Sequence, residues 1–226
     1  MAQSQRRVFT TADALDATAP ILVATNLPDG YTDMPLNGKV VLEFDVALSD
    51  SCPIETGVTL STDDSSVDIY VSLSSDRKIV TIEGQENLSA DTTYYVSVNA
   101  FCDYAGNQYA ASNVLTFTTS LSESNDTTGP SLVSLDPASN ATDVDVNTTI
   151  TIVFDEVIDG RSLPEIKQGS DVIEGEYEVL GDTIIFTPNS ALLGSTTYRI
   201  SILSSVRDMA GNTKNLGTHT FSTGSN

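Results

Sequence analysis

Hydrophobic and polar residues alternate with a period of two along several short segments of this chain. Val40, Leu42 and Phe44 alternate with neighbours such as Glu43 and Asp45. The same alternation recurs at 80–82, 94–100, 150–155, 184–186 and 198–202. It is typical of strands with one face in a core and the other in water, in antiparallel sheets. Since turn residues separate the segments and no helical stripe is present, the pattern predicts roughly seven short strands per domain, as in a Greek-key β-sandwich.

The chain also contains an internal repeat. Five landmarks occur twice in the same order: an opening Pro (20 and 130), a strand ending in Phe-Asp (44–45 and 154–155), a Thr-x-Tyr strand (92–96 and 196–200), an Asp-x-Ala-Gly-Asn turn (103–107 and 208–212) and a closing Phe-x-Thr (117–119 and 221–223). The first two landmarks recur after 110 residues and the last three after 104 or 105. This self-similarity predicts two consecutive domains of the same fold.

A tyrosine occupies a special position in each copy. Leu88 precedes Tyr94 by six residues, and Leu192 precedes Tyr198 by six. A Tyr that opens the sixth strand in this way predicts a tyrosine corner, in which the hydroxyl bonds to backbone upstream. The alternative is an ordinary strand tyrosine.

The five landmarks together resemble the bacterial Ig-like domain family, first described in surface-layer proteins and common in bacterial and phage surface proteins. Both copies carry every landmark, so the resemblance extends from about residue 20 to residue 223. It implies an all-β chain with two tandem immunoglobulin-like Greek-key β-sandwiches. It implies little about role, because the family serves as spacer, adhesive module, enzyme appendage and virion ornament alike.

The repeat divides the chain into four segments. We predict an extended N-terminal arm (1–19), Ig-like domain 1 (20–120), a linker (121–129) and Ig-like domain 2 (130–226). The linker is short and polar, and Pro130 limits its motion, so a semi-rigid rod is expected. The arm has little to bury and would be disordered by itself. We therefore expect a protein partner to hold it in a homo- or hetero-oligomeric assembly.

The net charge of the chain limits the classes of partner that it can bind. Thirty-one acidic residues against 10 basic ones give a formal charge of −21. Nucleic-acid binding needs a basic footprint, so a nucleic-acid partner is excluded, and anionic membrane surfaces are equally disfavoured. No apolar run has the length of a membrane span, so membrane insertion is not expected.

The N-terminal sequence bears on location. Ser4–Phe9 loosely resembles a twin-arginine export signal, but Asp13 and Asp16 follow where an apolar segment should lie. We therefore expect no signal peptide in this chain. Two routes stay open: the chain is a piece of a longer secreted protein, or it is made in the cytoplasm and released by virion assembly and lysis. The predicted location is the virion surface or the extracellular cell surface.

The Asp-x-Ala-Gly-Asn turns have a structural and a functional interpretation. Structurally, Asp and Asn cap the turn backbone, while Gly106 and Gly211 supply positive φ. Functionally, loops after the second and sixth strands share one end of a Greek-key sandwich and gather oxygen ligands of the kind Ca²⁺ binds. The candidate ligands of this interdomain site are Asp126, Asp155, Glu156, Asp208 and Asn212, with Asp159 nearby. No Asp-x-Asp-x-Asp-Gly calcium loop supports it, and no other cofactor is expected.

Cys52 and Cys102 are the only cysteines of the chain. Cys52 follows the second strand and Cys102 ends the sixth, so both should lie at the same end of domain 1. A disulfide between them would form in oxidising surroundings. Two free thiols are the alternative.

Catalytic motifs are lacking. The single histidine, His219, aligns with Leu115 and is expected at a core or rim position. There is no nucleophile elbow and no phosphate loop, so the chain is predicted not to be an enzyme. Because Trp is absent, a glycan-stacking surface would depend on tyrosines. The candidates are Tyr31, Tyr70, Tyr104 and Tyr109.

These observations predict a non-catalytic structural protein that displays tandem Ig-like domains on a larger assembly. The leading interpretation is a phage virion decoration, tail or fibre-associated protein attached through its N-terminal arm. The alternative is a spacer or adhesion segment of a secreted bacterial surface protein or polysaccharide-active enzyme. A cell-surface glycan is a candidate partner. An independent hydrolase is the class that the sequence supports least.

Overall fold

The computed structural model describes residues 15–110, 112–122, 124–203 and 206–225, and β-strands are the only regular secondary structure in these ranges. No helix within them is long and apolar enough to cross a membrane. The strands of domain 1 are β1 (Leu22–Thr25), β2 (Tyr31–Met34), β3 (Val40–Phe44), β4 (Val58–Ser61), β5 (Ser66–Val67), β6 (Ile69–Leu73), β7 (Ile79–Gly84), β8 (Thr93–Val98) and β9 (Ser112–Thr119). Those of domain 2 are β10 (Leu132–Asp136), β11 (Ala141–Val144), β12 (Ile150–Phe154), β13 (Glu165–Gln168), β14 (Asp171–Val172), β15 (Gly175–Leu180), β16 (Thr183–Pro188), β17 (Thr197–Ser201) and β18 (Thr218–Thr223).

Each domain is a sandwich of two sheets. In domain 1 the strand orders are β1-β3-β7-β6 and β2-β9-β8-β4-β5. In domain 2 they are β10-β12-β16-β15 and β11-β18-β17-β13-β14, which is the same arrangement repeated. In domain 1 the chain crosses between the sheets after β1, β2, β3, β5 and β7, as in a Greek key. The predicted fold of two tandem sandwiches is therefore confirmed.

One strand pair in each domain departs from the antiparallel sheets predicted from the alternation. β2 lies parallel to β9, and β11 lies parallel to β18. After β1 the chain turns at Pro28–Gly30, where the Tyr31 N–H donates to the Pro28 carbonyl at 3.2 Å, and crosses to the other sheet. There it runs alongside the last strand in the same direction. A period of two reports which face is buried and carries no information on strand direction.

Each sandwich has its own apolar core, built from the alternating residues. Phe44 and Phe117 are among the buried residues of the first core. Phe154 and Phe221 occupy the matching places in the second. One buried residue crosses over: Met209 belongs to domain 2 by sequence but packs in the core cluster of domain 1.

Both predicted tyrosine corners are confirmed. The Tyr94 hydroxyl accepts a hydrogen bond from the Ser89 N–H at 2.8 Å, and the Tyr198 hydroxyl accepts one from the Leu193 N–H at 2.7 Å. Each bond satisfies a backbone donor at the crossover between sheets and thereby fixes the corner.

Most of the N-terminal arm, residues 1–14, lies outside the described residues. Its predicted extended form and the partner predicted to hold it therefore stay predictions. Of the remainder, Asp16 caps its own turn, since its Oδ1 accepts hydrogen bonds from the Thr18 N–H at 3.0 Å and the Thr18 hydroxyl at 2.6 Å.

Candidate functional site at the junction between the domains

The Asp-x-Ala-Gly-Asn loop of domain 2 forms the junction with domain 1. Asp208 is 1% exposed, and its Oδ1 and Oδ2 accept hydrogen bonds from the N–H and Nδ2 of Asn212, both at 2.8 Å. Gly211 has a φ of 90°, a conformation that glycine adopts without strain. The structural interpretation of this turn, a self-capped loop, accounts for its shape.

Met209, at the tip of this loop, joins the two domains. Its side chain is 3% exposed and lies among core residues of domain 1. Its carbonyl accepts a hydrogen bond from the Lys39 N–H at 2.9 Å. The Asn26 Nδ2 lies 3.8 Å from the Met209 Sδ. Domain 2 thus contributes both a buried side chain and a backbone acceptor to domain 1.

The linker is clamped at Asp126 by one asparagine from each domain. The Asn37 amide donates to the Asp126 carbonyl at 2.8 Å and accepts from the Asp126 N–H at 3.1 Å. From the other side, the Asn212 Nδ2 donates to the same carbonyl at 3.1 Å. These bonds hold the backbone of the linker against both sandwiches.

Three of the five predicted calcium ligands come together at this clamp. Carboxylate oxygens of Asp126, Glu156 and Asp208 all lie within 4.8 Å of one another. Such oxygens suit Ca²⁺, which takes six to eight of them. Calcium binding at this triad stays a prediction.

The other predicted ligands have hydrogen-bond or ion-pair partners of their own. The Asp155 Oδ1 accepts a hydrogen bond from the Ser131 N–H at 2.6 Å. Asn212 directs its amide nitrogen, which cannot bind a cation, toward Asp126 and Asp208. Asp159 pairs with Arg161, whose Nη2 lies 2.6 Å from its Oδ2.

The triad has perturbed acidity. Burial, followed by the negative charges of Asp126, Asp208 and Asp155, raises the pKa of Glu156 to about 8. Burial also raises the pKa of Asp208, against the opposing effect of its hydrogen bonds from Asn212. Protonated Glu156 is therefore well populated near neutral pH, and a proton and a cation would compete for the same oxygens.

Two clefts, each of about 710 Å³, flank the junction. The first is mainly apolar, with Leu27, Val157 and Leu180 among its lining residues. The second is acidic, and the carboxylates that line it are Asp33, Asp126, Asp155, Glu156 and Asp182. No Lys or Arg is among the described residues around the second cleft.

At the opposite end of domain 1, the structure joins Cys52 to Cys102, with their Cα atoms 5.8 Å apart. Cys102 directly precedes Asp103, the first residue of the Asp-x-Ala-Gly-Asn loop of domain 1. The covalent bond therefore braces the root of that loop.

The remaining candidates do not converge. The His219 ring nitrogens face the Ser139 hydroxyl at 3.3 Å and the Leu216 carbonyl at 3.1 Å. The four tyrosines are dispersed: Tyr31 lines both interdomain clefts, Tyr109 packs edge-on against Phe44, and Tyr70 and Tyr104 are exposed at separate places. No catalytic function is indicated by the described residues.

Sequence reasoning missed Met209 and two asparagines of domain 1: Asn37, which clamps the linker, and Asn26, which lies against the Met209 sulfur. A signal was available for Met209, because an apolar residue stood at the tip of a turn that otherwise carries only capping and small residues. The asparagines had no such signal, since Asn is common in any turn.

Comparison with known proteins gives the family. The model for the bacterial Ig-like domain matches residues 16–119 and again residues 126–223. No match was found among curated proteins. Among solved structures, the N-terminal part of the bacterial S-layer protein SbsC is similar at 15% identity and a TM-score of 0.38, over 91% of this chain and 44% of that one.

Two other solved structures illustrate the range of similar chains. An L,D-transpeptidase from Mycobacterium smegmatis has 14% identity and a TM-score of 0.32, over 71% of this chain and 59% of that one. A chimeric titin Z1Z2 has 13% identity and a TM-score of 0.32, over 91% and 96%. The chain spans only 44%, 26% and 26% of three S-layer protein structures. Since one family model matches two consecutive ranges that include every strand, this chain belongs to the bacterial Ig-like domain family.

Proposed function

We propose that the chain is a non-catalytic structural protein that displays two docked Ig-like sandwiches on the outside of a larger assembly. The observation that carries the proposal is the insertion of Met209 into the core of domain 1. Domains that merely follow one another in a chain move independently by default. A shared core residue and a clamped linker instead make the pair one stiff unit, which suits a spacer.

The disulfide supports a location outside the cytoplasm. Disulfides persist in oxidising surroundings and are rare in the cytosol. The high negative charge further favours solubility and discourages nonspecific association with nucleic acids or anionic membranes.

The leading setting is a phage virion, where the chain would be a decoration, tail or fibre-associated protein. The N-terminal arm would supply attachment through a protein partner, leaving the two sandwiches exposed. A second setting, a spacer or adhesion segment of a secreted bacterial surface protein, is favoured by the Cys52–Cys102 bond. A secreted chain meets oxidants during export, whereas a virion protein meets them only after lysis.

Antibody against the purified chain tests the proposal on material from the source organism. Intact cells and purified phage particles are labelled separately, with permeabilised cells as the control. Labelling of intact particles supports the virion setting, and labelling of intact cells supports the secreted one. Labelling confined to permeabilised cells would overturn both.

A further inference from the structure

One dipeptide at the junction combines two residues that can react with each other. Asn37, the residue of domain 1 that clamps the linker, is followed by Gly38, and this is the single Asn-Gly pair of the sequence. The main-chain nitrogen after an asparagine can attack the side-chain amide. Glycine has no side chain to shield that nitrogen, so it allows the attack more readily than other residues do. We propose that Asn37 is a site of spontaneous deamidation, and that its product irreversibly loosens the junction between the domains.

The reaction needs only water. The Gly38 nitrogen gives its proton to hydroxide and attacks the Cγ of Asn37, so that an N–Cγ bond forms. The Cγ–Nδ2 bond then breaks, and the amide group leaves as ammonia after taking a proton from water. Water opens the resulting succinimide ring at one or the other carbonyl carbon, which yields aspartate or, with the main chain rerouted through Cγ, isoaspartate. The net change is the uptake of water and the loss of ammonia.

Packing requires the glycine of this pair. Gly38 is buried, and a Cβ atom at this position would lie 2.6 Å from the Met34 Cε. In domain 2 the same turn carries Asn147 and Thr148, with the smaller Val144 in the place of the methionine. The branched side chain of Thr148 shields its own nitrogen. Asn147 is therefore a matched position at which the reaction should be slow.

In the docked chain the clamp restrains the Asn37 side chain. Its Nδ2 donates to the Asp126 carbonyl at 2.8 Å, and its Oδ1 accepts from the Asp126 N–H at 3.1 Å. The Gly38 N–H donates to the Pro35 carbonyl at 2.9 Å, which holds the proton that the reaction must remove. The side chain must turn toward the Gly38 nitrogen in order to react, so both bonds to Asp126 have to break first. Deamidation therefore proceeds from molecules in which the linker has left the clamp.

The product cannot form the clamp again. Both products have a carboxylate oxygen where Asn37 has its Nδ2 donor, so the Asp126 carbonyl would lose a hydrogen bond and face another acceptor. The new charge also adds to that of the triad at the junction, whose carboxylate oxygens already lie within 4.8 Å of one another. In isoaspartate the main chain gains an extra atom just before Gly38. That atom would displace Lys39, whose N–H donates to the Met209 carbonyl across the junction at 2.9 Å.

Peptide mapping by mass spectrometry tests the reaction on the full chain. The wild type and Met209→Ala, which removes the side chain that joins the domains, are aged side by side under mildly alkaline conditions. Asn37 is expected to deamidate slowly in the wild type and at least about tenfold faster in the variant. A tenfold larger population with an open junction corresponds to the loss of about 1.4 kcal/mol of docking free energy. Asn147, followed in the same samples, is the internal control.

Three outcomes of this mapping would overturn the proposal. They are an Asn37 that stays intact in both proteins, equal rates at Asn37 in the two proteins, and a rate at Asn147 that matches the rate at Asn37. Circular dichroism verifies that Met209→Ala is folded. If it is not, urea at concentrations below the unfolding transition opens the junction of the wild type instead, and the same comparison of Asn37 with Asn147 applies.

The consequence for the junction is measured on the products. Anion exchange separates the deamidated wild type, which carries an additional negative charge, and Asn37→Asp supplies the aspartate form directly. Residual dipolar couplings should report two independent domain alignments for these forms and a single alignment for the intact chain. Asn147→Asp makes the same charge change at the matched, exposed position and should keep a single alignment. If Asn37→Asp and the separated products also keep a single alignment, the proposal fails.

The inference rests on the docked junction of the proposed function, and the two can fail separately. Independent alignments in the fresh, intact wild type would contradict the docked unit itself. A single alignment that survives deamidation would contradict the inference alone. The antibody labelling above tests the setting of the chain and depends on neither result.

Discussion

The two Asp-x-Ala-Gly-Asn loops of this chain have the same conformation and opposite surroundings. Gly106 and Gly211 have φ values of 89° and 90°, and each N–H donates to the Asp carbonyl three residues earlier at 3.2 Å. Yet one loop tip is exposed to solvent and the other is buried in a neighbouring domain. The local sequence therefore determines the conformation of the loop, and the surface that packs against the loop tip determines whether the tip is buried.

The same comparison explains the acidity of the two loops. The pKa of Asp103 is lowered, chiefly by the hydrogen bond from the Asn107 side chain. The pKa of Asp208 is raised, chiefly by burial, although it receives the same bonds from Asn212. Domain 1 has Val46 where domain 2 has Glu156, and among the residues that the structure describes the acidic triad is found at the junction alone.

The largest expected change follows from removing the disulfide, which braces the loop of domain 1 only. Replacing both cysteines by serine is expected to lower the free energy of unfolding of domain 1 by about 4 kcal/mol, the loop-entropy value for a sequence separation of 50. Scanning calorimetry measures it, and domain 2, which has no cysteine, is the internal control. An unshifted domain 1 transition would argue that no covalent bond exists.

Next in size is the loss of the Met209 side chain. Met209→Ala is expected to cost about 3 kcal/mol, because it leaves a cavity in the core of domain 1. The unfolding transition of domain 1 should then move to lower denaturant concentration while that of domain 2 is unchanged, and residual dipolar couplings should report two independent alignments. The matched control is Tyr104→Ala, expected to change stability by less than about 0.5 kcal/mol since its side chain is exposed. Equal losses at the two positions would contradict the docked arrangement.

Calcium gives a smaller expected effect, and only at the junction. If the triad binds Ca²⁺ with the millimolar to submillimolar affinity of extracellular modules, a few millimolar should stabilise the chain by about 1–2 kcal/mol. Thermal unfolding with calcium, magnesium and chelator measures it. Glu156→Gln should abolish the response. A response that persists in this variant would locate the cation elsewhere.

The smallest expected effect is the pH dependence of the junction, because solvent screens a partly exposed carboxyl. The pKa of Glu156 is about 8 in the folded chain, above the ordinary value of 4.5, so the folded state holds the proton more tightly. Its stabilising contribution is fully present below about pH 4.5 and is lost as the pH rises through about 8. In chelator, the melting temperature should fall from about pH 6 to about pH 9, and fall less in Glu156→Gln. An identical fall in the variant would assign the effect to other groups.

Much of the fold was predictable because its determinants are local and repeated. The alternation that placed Leu42 and Phe44 inside, and the spacing that placed Tyr94 and Tyr198 at corners, follow from side-chain direction and strand order alone. The parallel pairing of β2 with β9 was not predictable, since strand direction depends on where the chain crosses between sheets.

The candidate site was likewise predictable only in part. That Glu156 and Asp208 share one end of domain 2 follows from Greek-key topology, and their approach to within 4.8 Å of one another and of Asp126 agrees with it. That Asn212 would direct nitrogen rather than oxygen inward depended on the Asp126 carbonyl lying there. The orientation of a side-chain amide depends on its hydrogen-bond partners, and the sequence alone does not show which groups those are.

By itself, the sequence determined two sandwiches, their order, their self-capped loops and the strong negative charge, because each of these depends on residues close together in the chain or on composition. Only the tertiary structure decided that Met209 lies in the core of domain 1 while Tyr104 faces solvent. Both residues occupy the same place in the same loop. Met209 is buried because domain 1 packs against it across the junction, whereas Tyr104 lies at the other end of domain 1 and is exposed. A contact between segments distant in the sequence produces no local pattern from which it could be predicted.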